Sequence, residues 1–341
     1  MTMSFGHHVL ISTLVIVLAS LLVFITSAIF DLSGQGGYYE AEQAATLSTH
    51  REKRESTILF VGDIMLSRGI GKIIEREGIR HPFFYTEHFL KDADITFGNL
   101  EGPISDIGKN QGSIYSFRAS PKALSGLLYS GFDVLSLANN HIVDYGGEAL
   151  SDTITLLEQA GISSVGAGAN YEAAHASVIR EVRGTRIAFL AYTNLLPPSY
   201  FSKSGEPAIS GIDERELSDD IARARKMAHL VIVSFHWGEE YETKHNAFQE
   251  RIGHLAIDSG ADLIVGHHPH VVQDIEEYNG KYIAYSLGNF IFDQNFPGTE
   301  EGLMLRAFVW DGGIRNVEPI LVKFTDTYQP YLAQSPDGVD F

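Results

Sequence analysis

The stretch ADLIVGHHPHVVQDIE (261–276) decides how the rest of this chain is read. An apolar, strand-like run from Ala261 to Val265 ends at Gly266 and runs straight into His267, His268 and His270. Pro269 biases the residue before it towards an extended backbone. In an extended chain, residues two apart point the same way, so His268 and His270 are expected on one face and His267 on the other. Two imidazoles at the end of a buried strand are a metal-ligand arrangement.

Four other apolar runs end in side chains of the same kind. ILFVGDIML (58–66) presents Asp63 after Gly62, and ITFGNLEGP (95–103) presents Asn99 and Glu101, two apart. VLSLANNHIVDYG (134–146) presents Asn139, Asn140 and His141. VIVSFHWGEEY (231–241) presents His236, with Glu239 and Glu240 nearby. Singly, each has an ordinary structural reading as a cap, a turn or a hydrogen-bonded histidine. Their recurrence at successive strand ends is what a shared site predicts, because open α/β sheets collect functional groups at the carboxyl ends of their strands.

The spacing between these runs supports an α/β architecture. Strands are expected at 58–61, 93–97, 134–138, 164–168, 186–192, 230–235, 261–265, 282–287 and 303–310. Helices are expected at 122–130, 147–159, 213–227 and 248–259, with 69–78 a helix or loop. Strands alternating with helices of this length form parallel sheets with crossover connections. Gly131 and Gly161 fall where helices stop. The glycines of VGAGAN (165–170) lack the spacing of a dinucleotide loop.

Composition narrows the function. The chain has 341 residues and a formal net charge of −18, with 44% hydrophobic and 20% charged residues. An acidic chain lacks the basic footprint of a nucleic-acid binder. There are no cysteines, so neither disulfides nor thiolate metal sites exist. Residues 9–30, VLISTLVIVLASLLVFITSAIF, contain no charge and are long enough to cross a bilayer of roughly 30 Å as a helix. That run is longer than a signal peptide's apolar core, and no Lys or Arg precedes it, so an uncleaved anchor is expected. The expected organisation is a short tail (1–8), a transmembrane anchor (9–30), a polar linker (31–56), one folded domain (57–325) and a C-terminal tail (326–341).

The donor set of carboxylate, amide and imidazole groups suits one or two borderline divalent ions: Mn, Fe, Zn or Mg. Two ions about 3.5–4 Å apart clamp the attacking and leaving oxygens of a displacement and lower the pKa of a bound water. The expected ligands are Asp63, Asn99, Glu101, Asn140, His236, His268 and His270. His141, beside Asn140, is placed to protonate a leaving group. Arg68 and Arg118 suit a carboxylate or phosphate through the guanidinium fork. Asn289 and Asp293 are expected to support the ligands from behind.

At these residues the chain resembles the CapA family, the capsule-synthesis proteins linked to poly-γ-glutamate. The motifs are GDIML (62–66), NLEGPIS (99–105), FRAS (117–120), SLANNHIVDYG (136–146), HWGEEY (236–241), GHHPHVVQ (266–273) and YSLGNFIFD (285–293). The resemblance implies a calcineurin-like metallophosphatase fold, a four-layer α/β/β/α sandwich. In that wider superfamily the first motif is Asp-x-His; here Asp63 is present and Met65 stands at the histidine position. The second normally supplies a bridging Asp, where this chain has Asn99 and Glu101. Asn139-Asn140-His141 is similar to the third, Gly-Asn-His, which implies Asn140 as ligand and His141 as acid. His236 resembles the fourth, and His268 and His270 the His-x-His of the fifth.

The expected function is a membrane-anchored, single-pass protein with its domain outside the cytoplasm, serving poly-γ-glutamate synthesis or export through a metal-dependent hydrolase or transferase step. Its partners would be the membrane, the polymer or its synthase subunits, and no nucleic acid. Two other readings compete: a metallophosphoesterase for another envelope or small-molecule phosphoester, and a non-catalytic scaffold of a polymer synthase.

Overall fold

In a computed structural model, residues 55–201 and 207–333 are described. The expected anchor at 9–30 lies outside them, as does nearly all of the linker. Among the described residues no helix is long and apolar enough to cross a membrane.

In chain order the strands are β1 (Ser56–Ile64), β2 (Ile95–Leu100), β3 (Val134–Ser136), β4 (Ser163–Val165), β5 (Ala167–Gly168), β6 (Val178–Val182), β7 (Thr185–Thr193), β8 (Ala208–Ile209), β9 (Leu230–His236) and β10 (Leu263–His267). They continue as β11 (Ile275–Tyr278), β12 (Lys281–Ala284), β13 (Asn289–Ile291), β14 (Glu301–Trp310), β15 (Gly313–Phe324) and β16 (Pro330–Leu332). The α-helices are α1 (Arg68–Glu77), α2 (Glu87–Asp92), α3 (Lys122–Ser130), α4 (Gly146–Gln159), α5 (Tyr171–Ala174), α6 (Glu214–Met227) and α7 (Ala247–Asp258).

Two sheets carry the domain. The first runs β16-β15-β14-β1-β2-β3-β4, with β13 also paired to β1; the second runs β11-β12-β10-β9-β7-β6. Period-two patterning decides which faces meet. Along β9, Leu230 and Ile232 join the core shared by both sheets, while Val231, Val233 and Phe235 join a second core. That second core takes Leu217, Ile221 and Ala224 from α6 and Ile252, Ala256 and Ile257 from α7, so these helices cover the outer face. Across the sheets, the rings of Phe97 on β2 and Phe189 on β7 stack 5.7 Å apart. In the first sheet, α1 and α2, then α3, then α4 connect parallel neighbours. Because its inner face meets the other sheet, these crossovers take the outer one.

The strand ends depart from simple alternation where the site forms. Phe60 pairs with Phe97, but the next partners are Asp63 and Asn99, so β1 takes three steps against two on β2. This β-bulge moves Asp63 onto the inner face with Asn99, where unbroken alternation would have aimed it outwards. Gly62 is required at the bulge: a Cβ there would stand 2.0 Å from the Gly288 carbonyl oxygen. Gly62→Ala is therefore expected to cost about 3 kcal/mol, the upper end of overpacking penalties, as read by denaturant unfolding. A loss under about 0.5 kcal/mol, the range of inert surface changes, would show that β1 and β13 can simply move apart.

Several expectations are corrected. Residues 69–78, expected as a helix or a loop, fall almost wholly within α1, in keeping with the helical alternative. The expected strand at 164–168 is split by Gly166, at φ 87°, into β4 and β5, which lie in different sheets. The strand expected to 287 ends at Ala284. The expected tail from 326 contains β16, which pairs antiparallel with β15. The strand pair β14–β15 extends well beyond the single strand foreseen. β15 alternates weakly and is largely exposed, so its sequence carries little apolar signal.

Candidate metal centre

The inner faces of both sheets converge at their carboxyl ends. His236 ends β9 and His267 ends β10, and the two are register partners on parallel strands. They therefore share the face that carries Leu230, Ile232, Leu263 and Val265 inwards. This corrects the expected facing of His267. Its ring is fully buried with Nδ1 3.4 Å from Asp63 Oδ1.

His268 and His270 reach the site by a different path from the extended one expected. Both have left-handed backbones, at φ 97° and 59°. Non-glycine residues held there typically cost about 1–3 kcal/mol each and cluster at functional sites. The turn places the two rings 6.0 Å apart and aims the His268 amide at Asp63, donating to Oδ2 at 3.2 Å. His270 Nδ1 lies 3.0 Å from Asn289 Oδ1 and 3.4 Å from Asp63 Oδ2. Its Nε2 is 3.7 Å from Glu101 Oε1.

The remaining expected ligands are brought together too. Asn99 Nδ2 donates to Asp63 Oδ1 at 2.8 Å and sits 3.3 Å from His236 Nδ1. Asn99 Oδ1 accepts from Asn139 Nδ2 at 3.1 Å. In this arrangement Asn99 braces Asp63 and offers its oxygen to Asn139. Asn140 Oδ1 lies 2.8 Å from His236 Nε2. Asp63, Glu101 and His236 place one ligand atom each within 4.8 Å of one another, and so do Glu240, His268 and His270. Met65 is buried and its sulfur accepts from the Ser67 amide and hydroxyl at 3.2 and 3.0 Å.

The donors fit a cation. Both carboxylate oxygens of Glu101, both ring nitrogens of His267 and Nδ1 of His268 are buried without a hydrogen-bond partner. Buried polar atoms are almost always satisfied, and a buried carboxylate most of all. The oxygen and imidazole donors, without thiolate, match a borderline divalent ion.

The charge states agree with that chemistry. Burial pushes Glu101 well above the usual carboxylate range, with the Asp63 charge adding to it. Burial acts the same way on Asp63, but His267 and His270 outweigh it and hold the carboxyl well below its ordinary value. Burial, then the neighbouring His268, depresses His236. Burial and His270 push His268 down to about 3. Both rings therefore keep lone pairs at neutral pH. Burial also opposes the charge on His270, but Glu101 and Asp63 prevail and raise it to about 9. A metal held among these donors would bring its own positive charge in place of that proton.

A cavity of about 260 Å³ opens beside this cluster, walled by Arg68, Phe117, His141, Glu240, Tyr241 and His270 among others. His141 Nδ1 is 2.8 Å from Asp144 Oδ2, its Nε2 is 3.9 Å from Glu101, and its ring stacks on Phe117 at 4.0 Å. Arg68 pairs with Asp293, with Nε 3.0 Å from Oδ1, and lies over the Phe117 ring. Asn289 contacts His270, an expected ligand, while Asp293 contacts Arg68. Arg118 does not reach this cavity; it lines a neighbouring cleft, with its guanidinium over Tyr145 at 4.1 Å. Trp237 is core, stacked on Phe235 at 4.4 Å.

Sequence reading misses three participants. It misplaces His267 by treating Gly266 as the end of the strand, although the parity from Leu263 and Val265 points to it. Asp144, three residues after His141, is a spacing that a turn closes easily. Glu240 is exposed and lies beyond the strand end, so only the fold brings it near His268.

Comparison with known proteins gives a consistent picture. The family described as "Bacterial capsule synthesis protein PGA_cap" matches residues 57–294. The capsule biosynthesis protein CapA of Bacillus anthracis is 34% identical over 297 residues, covering 84% of this chain and 72% of that protein. The PGA biosynthesis protein CapA of Bacillus subtilis (strain 168) is 34% identical over 262 residues, covering 76% and 69%. Among solved structures, a hypothetical protein from Thermus thermophilus superposes with a TM-score of 0.50 at 17% identity, covering 78% of this chain and 99% of that one. That likeness concerns the fold alone.

Proposed function

Because this chain belongs to the bacterial capsule synthesis protein family, we propose that it is a CapA-type protein of poly-γ-glutamate capsule synthesis, with a divalent-metal site that performs a hydrolase or transferase step. The observation that carries the metal site is Glu101, whose two buried oxygens have no partner inside a ring of Asp63, His236 and His270. The likeness of its sequence motifs to those of metallophosphatases supports the same reading. The proposal also puts the domain on the outer side of a cell membrane, tethered by the uncharged segment 9–30.

The ligands proposed are Asp63, Glu101, Asn140, His236, His268 and His270, with Asn99 bracing them, His267 buried beside Asp63 and Glu240 at the exposed rim. A divalent ion held there supplies a Lewis acid and an acidified water. The other work falls to the chain's own residues. Asp144 accepts from His141 Nδ1–H, which leaves Nε2 facing the cavity to exchange a proton with a leaving group. Arg68, fixed by Asp293 and Phe117, holds an anionic group of the substrate at the cavity wall.

His268→Ala and Asp63→Ala test the assignment. Each is expected to lower bound metal, measured by elemental analysis, by at least about tenfold to a hundredfold, and to reduce polymer output with it. Full polymer output from variants that have lost their metal would defeat the catalytic reading and leave a scaffold.

A further inference from the structure

Arg68 is shared between two cavities. Besides the cavity beside the metal cluster, it borders a cleft of about 360 Å³ that Lys72, Arg118 and Lys122 also line, against the two acids Glu75 and Asp106. Four cations facing one cleft are out of character for a chain with a net charge of −18. Their positions in the helices make the same point. Lys122 opens α3 and Lys72 sits midway along α1, and neither helix has an acid in its first turn. Every other described α-helix carries a glutamate there. A cation at a helix start opposes the macrodipole, so the placement of Lys122 is unfavourable in the empty protein. Local rules broken in this way are expected at functional sites.

Lys72 and Lys122 are exposed and form no ion pair with another described residue. Arg118 is held in place through Tyr145 and the Ile107 carbonyl oxygen, which Nη1 reaches at 3.3 Å. The cleft therefore offers two exposed ammonium groups and one fixed guanidinium, with Arg68 common to its wall and that of the metal cavity.

We infer that this cleft is a second subsite for a polyanion, holding a carboxylate-bearing unit that flanks the unit in the metal cavity. The inference rests on the proposed metal site for its orientation, and it makes the protein a reader of chain length. A single anionic unit fills one cavity. A longer chain bridges both across Arg68.

The test is calorimetric titration of the full chain with free glutamate and with a longer γ-linked glutamate oligomer. The oligomer is expected to bind more tightly. Lys72→Glu combined with Lys122→Glu is expected to weaken it by about tenfold, the combined effect of two partly screened charge contacts and their reversal. Added salt is expected to narrow the gap between oligomer and monomer. The Lys72→Gln/Lys122→Gln pair provides the same readout if charge reversal impairs folding. Equal affinity of the wild type for monomer and oligomer would overturn the inference. So would unchanged oligomer affinity in a folded double variant. Failure of the metal reading looks different: elemental analysis finds no ion in the wild type, while the length preference and its loss in the variant persist.

Discussion

Glu101→Gln is expected to act in opposite directions depending on metal. The wild-type carboxylate is 1% exposed, and neither oxygen has a partner. In chelator-treated protein the wild type must hold on this buried carboxyl a proton that the unfolded chain releases at neutral pH, and the amide keeps the shape without that cost, so stability should rise by about 1–3 kcal/mol. With divalent metal present the order reverses. A ligand at a hundred times its dissociation constant stabilises the folded wild type by about 2.7 kcal/mol, and the variant forfeits most of that.

The pH dependence of the chelated comparison follows from the direction of the Glu101 shift. Its folded-state value lies above the ordinary 4.5, so the native state retains a proton that the unfolded chain releases first. Such a group's contribution is fully present below about 4.5 and fades as pH rises through the folded value. The advantage of the glutamine variant should therefore be greatest towards neutral pH and vanish in acid. Thermal or denaturant melts of both proteins, with chelator and with metal, give all four corners. Metal stabilising the two proteins equally would remove Glu101 from the centre.

His141→Ala is expected to cut turnover about 10²- to 10⁴-fold, the usual range for removing a positioned acid or base. Bound metal should persist, because His141 touches the cluster only through a 3.9 Å approach to Glu101. Asp144→Asn should give a smaller loss, since it keeps the ring in place but weakens its orientation through Nδ1. Its amide can still accept from Nδ1. Polymer output in cells and turnover of phosphoesters with added Mn or Zn are the two readouts. Undiminished activity on both with His141→Ala would exclude the proton-transfer role and leave the dyad a structural one, stacked on Phe117.

Much of this architecture is written locally. The apolar runs at 58–61, 230–235 and 261–265 announce buried strands, and the polar residues that follow announce a site. What sequence hides is set by irregularities that local patterns do not encode. The bulge in β1 changes the face of Asp63, and only the contact with Gly288 reveals why Gly62 must be there. The left-handed turn at 268–270 replaces the extended path that Pro269 suggested, yet brings both rings to the same place. His267 follows the parity of its own strand. Arg118 and Arg68 look equivalent in sequence, but only Arg68 reaches the metal cavity. Glu240 and Asp144 take their meaning from neighbours that are distant in sequence or beyond a turn.

The cluster draws Asp63 and Glu101 from one sheet and His236, His268 and His270 from the other. In a chain without a single cysteine, an ion held by these five would be a reversible cross-link, stitching the two halves of the domain along their common seam. Chelation would then unpick that seam rather than merely empty a pocket, and the supply of one ion would set how firmly the domain resists shear and proteases.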